Sequence, residues 1–358
     1  MSGKVQLCII ISLIFLLLSG CKEVYEPELE AGQEPLVVDA HITNLEEVCY
    51  VKLSRAVAYN EGFKKIGVIS ADVWLQDNEG SEYHLVEATS GLYKTNPLDF
   101  IPSMGKSYQL HIRLQNGETY ESTPQSLLPN PHLDSLYGNL LEKEFIYKDV
   151  WGKVVSKYEI GASNVIDFSS ASDTLLQYRI ATTLLLGYTY IDNSTKPYPT
   201  VIYKWKKFYP DKTYNLTGEN TSIQTNHLTN YAACFFPFNE YLYELTSEEH
   251  AELWFLQTRV YSLGKEAQNY YKQVNKQLSS SGAIFDPIST QVEGNMYCTS
   301  DPKLQVLGFF DLSACSKISR WVKPLLSDNM ILYRPCMDLD SIDEFGLTIQ
   351  VTPNFWKY

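Results

Sequence analysis

The stretch Ser107-Tyr108-Gln109-Leu110-His111-Ile112-Arg113-Leu114-Gln115-Asn116-Gly117-Glu118-Thr119-Tyr120-Glu121-Ser122 decides the fold class. Leu110, Ile112 and Leu114 alternate with Gln109, His111 and Arg113, the two-residue period of a strand with one buried face. Asn116-Gly117 supplies two residues that accept positive φ, as a tight hairpin requires, and Tyr120 opens the return strand. Working outward, Ala71, Val73 and Leu75 alternate in the same way, Asp77-Asn78-Glu79-Gly80 makes the next turn, and Tyr83 and Leu85 follow it. Cys49, Val51 and Leu53 form one apolar face opposite Val48, Tyr50 and Lys52. Short strands between such turns predict a mainly β protein in which residues 35–127 form an immunoglobulin-like β-sandwich.

Leu128-Pro129-Asn130-Pro131 marks the boundary of that unit, because two prolines at this spacing interrupt both helix and ladder pairing. Residues 128–358 are expected to form a second, β-rich domain carrying one or more helices. Phe145 to Tyr147, Tyr158 to Ile160, Leu175 to Ile191, Thr200 to Trp205 and Leu253 to Tyr261 read as strands, and much of 192–232 as long polar loops or a hairpin. From Lys265 to Leu278 the apolar positions Ala267, Tyr270, Tyr271, Val274 and Leu278 lie on one helical stripe. Ser279-Ser280-Ser281-Gly282 ends that helix, and the Tyr270–Tyr271 pair reads as core packing.

The N-terminus carries an address. Lys4 precedes an apolar run from Val5 to Leu18, too short for a permanent bilayer-spanning helix and of the right length for a secretory signal. Leu18-Ser19-Gly20-Cys21 resembles the bacterial lipobox, which makes 1–20 a removable signal and Cys21 the lipidation site. Residues 21–34 then form an acidic tether. Its start, Lys22 followed by Glu23, Glu26, Glu28 and Glu30, resembles the surface-export signal of Bacteroidetes lipoproteins. The expected location is the outer membrane, lipid-anchored and cell-surface exposed.

Composition excludes several classes. The 358 residues are 44% hydrophobic and 20% charged, the balance of a globular protein and not of a disordered or collagen-like chain. A net charge of −13 gives no electrostatic case for binding nucleic acid or an anionic membrane surface by charge alone. Twenty-six Tyr and six Trp against six His suit a β-rich exported protein better than a cytosolic enzyme. Motifs of chemistry are missing: G-x-S-x-G, H-E-x-x-H, a Walker loop and G-x-G-x-x-G after a strand do not occur. His41, His84, His111, His132, His227 and His250 are scattered, and His84 and His111 occupy polar strand positions that predict solvation. Thr246 and Glu249 have the spacing of a capping box or local turn device. The acidic run Asp338 to Glu344 lacks the EF-hand pattern and reads as a solvated loop, and Lys204, Lys206, Lys207 and Lys212 around Trp205 as a salt-bridged strand edge. No catalytic residue, cofactor or metal site is expected.

Of seven Cys, Cys8 leaves with the signal and Cys21 takes lipid. Cys49 lies on an apolar strand face and is expected to be a buried thiol. Cys234, Cys298, Cys315 and Cys336 are candidate disulfide partners, permitted by export, with connectivity open. Asp134-Ser135-Leu136, Asp173-Thr174-Leu175 and Asp340-Ser341-Ile342 resemble the Bacteroidetes O-glycosylation acceptor, marking Ser135, Thr174 and Ser341.

A wider resemblance runs in order along the chain. Pro35-Leu36-Val37-Val38-Asp39, Val51-Lys52-Leu53-Ser54, Gly91-Leu92-Tyr93, Gly105 to Ile112 and Gly117 to Ser122 lead to Pro131-His132-Leu133-Asp134-Ser135-Leu136-Tyr137. Tyr261-Ser262-Leu263, Phe285-Asp286-Pro287-Ile288, Gly294-Asn295, Leu307-Gly308-Phe309-Phe310 and Pro353-Asn354-Phe355-Trp356 complete it. With these the chain resembles the Bacteroidetes outer-membrane lipoprotein family known as domain of unknown function 4249. The resemblance implies a non-enzymatic accessory or substrate-capture component that works beside a TonB-dependent outer-membrane receptor. A surface adhesin or structural lipoprotein without a small ligand is the alternative.

Overall fold

The computed structural model describes residues 34–45, 47–56, 66–149, 151–172, 174–192, 200–210, 213–218, 226–237, 249–279, 292–325 and 330–335. The protein is mainly β, as the alternation predicts. Three sheets and one helix, α1 (Lys265–Ser279), are present among these residues. The first sheet has eleven strands, with the path β14 (Thr200–Phe208), β13 (Gln177–Asp192), β17 (Glu249–Leu263), β19 (Val306–Leu325), β1 (Leu36–Thr43), β2 (Tyr50–Arg55), β7 (Leu92–Lys94), β6 (Val86–Thr89). The second has six, along β18 (Met296–Cys298), β9 (Thr119–Ser122), β8 (Ser107–Arg113), β4 (Asp72–Asp77), β5 (Glu82–His84); the third is β11 (His132–Lys148), β12 (Val154–Ser169), β16 (His227–Pro237).

Strand β1 (Leu36–Thr43) shows how the sequence builds the first core. Leu36, Val38, Ala40 and Ile42 are fully buried, while Asp39, His41 and Thr43 point to the other face. The buried set meets Val51 and Leu53 of β2 (Tyr50–Arg55), and across the core Val73 and Leu75 of β4 (Asp72–Asp77) and Leu110 and Ile112 of β8 (Ser107–Arg113). The Asn116-Gly117 turn joins β8 to β9 (Thr119–Ser122), with Gly117 at φ 90°. Asp77 stabilises the preceding turn by accepting from the backbone N–H groups of Glu79 and Ser81 at 3.0 and 2.9 Å and from Lys106 Nζ at 2.8 Å.

The linear partition at 127/128 needs amendment. Strand β18 (Met296–Cys298) pairs with β9, and β19 (Val306–Leu325) pairs in parallel with β1 from Leu36↔Val306 to Thr43↔Ser313. Met296, Cys298, Phe310, Leu312 and Ala314 therefore complete the core that begins at Leu36. A parallel pair needs a long crossover, and here it takes most of the chain. An immunoglobulin-like sandwich made from 35–127 alone would lack both strands. The Pro-rich stretch is held in place: Ser262 Oγ donates to Pro129 O at 2.7 Å and Ser316 Oγ to Pro131 O at 2.6 Å.

The second core lies between the third sheet and β13 (Gln177–Asp192) with β17 (Glu249–Leu263), and includes Phe168, Tyr178, Leu184, Phe236, Trp254 and Leu256. β19 runs from the first core to the second, which joins the two regions covalently and by ladder pairing. The short strand readings at 145–147 and 158–160 are parts of one long hairpin, β11 (His132–Lys148) and β12 (Val154–Ser169). The polar region 192–232 holds more strand than expected: β14 (Thr200–Phe208), β15 (Asn215–Leu216) and the start of β16 (His227–Pro237). Glu249 opens β17 and so does not cap a helix; Thr246 lies outside the described residues.

Helix α1 buries Ala267, Tyr271 and Asn275, while Leu278 of the expected stripe is exposed. Asn275 is a well-satisfied buried amide, because it accepts from Tyr214 N at 2.8 Å and donates to Tyr214 O at 2.7 Å. Glu266 in the first turn accepts from Thr123 Oγ1 and Gln125 Nε2, both at 2.8 Å, a placement that also suits the helix dipole.

Candidate functional site

The parallel pairing of β1 with β19 places His41 directly beside Asp311. Both lie on the face away from the first core, where α1 covers them. Asp311 is 2% exposed and accepts from Tyr271 Oη at 2.5 Å and from Ser313 Oγ. His41 Nδ1 lies 3.5 Å and Arg179 Nη2 3.7 Å from the same carboxylate oxygen. The Arg179 guanidinium stacks over Tyr261 at 4.0 Å and Tyr271 at 4.9 Å. Burial alone would raise the Asp311 pKa, but the hydrogen bond from His41 and the charges of Arg179 and His41 outweigh it and hold the carboxyl at about 2. His41 shows the mirror case: burial lowers its pKa, while hydrogen bonds to Asp311 and to Asp39, at 2.9 Å, raise it to about 9.

This cluster joins β1, β13, β19 and α1 and contains no idle acid or base. With both ring nitrogens next to carboxylates, His41 is held as an imidazolium, and Asp311 already accepts from two hydroxyls. The arrangement fits a structural ion cluster better than proton transfer. A second node has the same character: Glu47 bridges Lys317 at 2.8 Å and Arg259 at 2.9 Å, two cations that are register partners on β19 and β17. Neither node was legible as a site in the sequence. The available signal was Asp311 itself, a carboxylate inside the apolar run Gly308-Phe309-Phe310-Asp311-Leu312.

Two surfaces face outward. On the second sheet, register pairs His84, Trp74, His111, Glu121 and Tyr297 into one row across five strands. The Trp74 ring lies 5.8 Å from His84 and 5.1 Å from His111. His84 is solvent-exposed as expected, whereas the His111 side chain is only 12% exposed, because the indole and its neighbours cover it. Beside Tyr297 a depression of about 380 Å³ opens between Cys298, Thr299, Pro302, Leu304 and Val306.

The other surface is the β11–β12 hairpin. Strand β16 borders β12 only from Gly161 onward, so residues 141–160 extend as a two-stranded arm. At ~3.3 Å per residue the arm projects roughly 25 Å. Phe145 packs on Phe235 at 5.7 Å, with the Lys143 ammonium over both rings, which braces one face. The opposite face and the end expose Ile146, Val154, Tyr158, Ile160 and Trp151. Most exposed tyrosines of the described residues belong to this hairpin: Tyr137, Tyr147 and Tyr158.

The remaining sequence candidates fall as follows. Cys21, Cys336, Ser341 and the acidic run from Asp338 lie outside the described residues. Cys49 is a buried thiol as expected. The disulfide expectation is corrected for Cys234, Cys298 and Cys315: no bond joins any of these three, since they belong to three different core clusters. Burial pushes the Cys315 thiol up to about 12, which makes it unreactive. Lys204, Lys206 and Lys207 lie on β14, as a strand-edge reading requires, and Lys212 is outside the described residues. Ser135 is half-buried in β11 and donates to Asp167 Oδ2 at 2.7 Å, whereas Thr174 is exposed outside any strand. If the acceptor motif is used, peptide mapping of protein from its native host should therefore find a glycan mass on Thr174 and none on Ser135. Among the described residues no group of three or more His, Cys, Asp or Glu is placed to hold a metal, and no described helix is long and apolar enough to cross a membrane.

Fold and surfaces together define a class: a mainly β protein with buried ion clusters and a projecting arm that exposes aromatic side chains. A family profile described as Domain of unknown function (DUF4249) matches residues 22–319, and the chain belongs to that family. Comparison with curated proteins gave no match.

Proposed function

We propose that this protein is a lipid-anchored outer-membrane accessory component of a TonB-dependent uptake system, without enzymatic activity, whose β11–β12 arm contacts the receptor barrel or its cargo. The projecting arm carries this reading, because it presents Tyr, Trp and Ile on a braced two-stranded scaffold. Rigid aromatic side chains give large contact area at low entropic cost, which is why they dominate binding hot spots. The lipobox-like Leu18-Ser19-Gly20-Cys21 supports the address, and the full engagement of Asp311 and His41 supports a non-catalytic role. Membership of the family supports the receptor association only through the resemblance already described.

Affinity purification of the tagged protein from native outer membrane in mild detergent tests the proposal. A TonB-dependent barrel should co-purify in near-stoichiometric amount, and a Tyr137→Ser/Tyr158→Ser/Ile160→Ser variant should lose most of it. The N-terminal peptide of the mature protein should begin at Cys21 and carry acyl chains. Recovery without a partner across several detergents would replace this reading with that of a surface adhesin.

A further inference from the structure

We infer that the end of the β11–β12 arm is a lipid-interface contact, which inserts shallowly among the headgroups of an anionic bilayer and gives the protein a second attachment beside any lipid on Cys21. The inference deepens the reading of the arm as a contact surface: the shaft would meet protein and the end would meet lipid.

The distribution of apolar groups carries the argument. A patch that docks on another protein is one-sided, whereas the end of this arm exposes apolar side chains on both faces and at its turn. Ile146 and Val154 lie on one face, Tyr147 and Val155 on the other, by the register Tyr147↔Val155 and Lys148↔Val154. Trp151 stands at the end itself. Trp151 is 88% exposed and Ile146 71%, so neither has a partner surface within the described fold. The apolar end spans two residues of each strand and the turn, about 7–10 Å, which matches the depth at which interfacial segments bury their apolar groups. Insertion to that depth leaves the unpaired strand edges near the polar headgroups, where their backbone groups stay hydrated.

The turn is built to hold Trp151 outward. Asp149 Oδ1 accepts from Trp151 N and Lys153 N, both at 2.9 Å, and Gly152 takes φ 77° while donating to Asp149 O at 2.9 Å. One oxygen of the only acid near the end is thereby directed into the turn. Charge then favours an anionic interface. The arm as a whole balances Glu142, Glu144, Asp149 and Glu159 with Lys143, Lys148, Lys153 and Lys157, on a chain whose net charge is −13. At the end, the exposed Lys153 stands two residues from Trp151, an arrangement in which a lysine reaches lipid phosphates while Trp sits at headgroup level. A net-acidic protein approaching an anionic surface would do so with this neutral, lysine-tipped projection first.

The test uses the mature polypeptide, residues 21–358, produced without its leader and hence without acyl chains. It should co-float with vesicles of phosphatidylglycerol and phosphatidylethanolamine, and much less with phosphatidylcholine alone. Emission that is lost in Trp151→Phe should be quenched by brominated acyl chains. Trp151→Ala with Ile146→Ser should weaken partitioning about tenfold or more, and Lys153→Glu about fivefold or more, with unchanged thermal melting because these positions are exposed. Absence of co-flotation, or variants that float like the wild type, would overturn the inference. So would arm variants that leave flotation unchanged but alter the solution mass by light scattering, which would make the arm an interface between copies. None of these results bears on the barrel, which the purification reads separately.

Discussion

Asp311→Asn is expected to lower the unfolding free energy by about 3–5 kcal/mol, the cost of leaving a buried charge uncompensated. Arg179 is buried, and its guanidinium is hemmed in by Tyr261, Tyr271 and Tyr214 with Asp311 as the carboxylate at 3.7 Å. The asparagine accepts from only one of the Tyr271 and Ser313 hydroxyls, must donate to the other, and removes the charge. Urea unfolding of both proteins gives the difference directly. An Arg179→Met/Asp311→Leu variant, which removes both charges, should recover a large part of the loss. A loss under about 1 kcal/mol for Asp311→Asn would show that solvent reaches the cluster.

The same cluster shapes the pH dependence of stability. Asp311 titrates at about 2 when folded, below the ~3.9 of an unfolded Asp. Its contribution, about 2–3 kcal/mol, is present above pH ~4 and is lost as the pH falls through 2. His41 has its folded pKa raised to about 9, so its contribution is complete below pH ~6.5 and is lost as the pH rises through 9. That side chain is 43% exposed, and solvent screening makes its term the smaller one. The cluster therefore stabilises most between about pH 4 and 6.5, and Asp311→Asn should flatten the acid limb of the melting-temperature profile.

Gly308→Ala is expected to be at least as damaging, with a loss of 3 kcal/mol or more, or failure to fold. Gly308 adopts φ 95°, and an added Cβ would lie 1.8 Å from Val38 O. That oxygen belongs to β1 at the register pair Val38↔Gly308, so relief requires separating β1 from β19. Gly294 is tied to the same place, because a Cβ there would lie 1.7 Å from Gly308 O. Next to it, Asn295 closes the gap with its side chain: Phe310 N donates to Oδ1 at 2.8 Å and Nδ2 donates to Phe310 O at 2.9 Å. Expression yield and thermal melting of Gly308→Ala, compared with Gly80→Ala, separate close approach from positive φ alone. Gly80 has φ 89° but open space around its Cβ position, so its variant should show only the smaller backbone strain.

Local alternation and turn chemistry determined the mainly β class, the β8–β9 hairpin at Asn116-Gly117, the buried faces of β2 and β4, and the helix from Lys265. Each of these depends on neighbours within a few residues, and a period of two or 3.6 records such neighbours directly. The expected leader and the lipobox-like motif at Cys21 are likewise linear signals. Tertiary structure alone decided that β18 and β19 return to complete the first core, because strand pairing between residues 36 and 306 leaves no local pattern. It also decided that His111 is covered, that His41, Arg179, Tyr271 and Asp311 converge, and that Cys234, Cys298 and Cys315 are kept apart. Those outcomes depend on which faces meet across the sheet, and long-range register is written in packing and close backbone approach at Gly294 and Gly308, not in any one stretch of the chain.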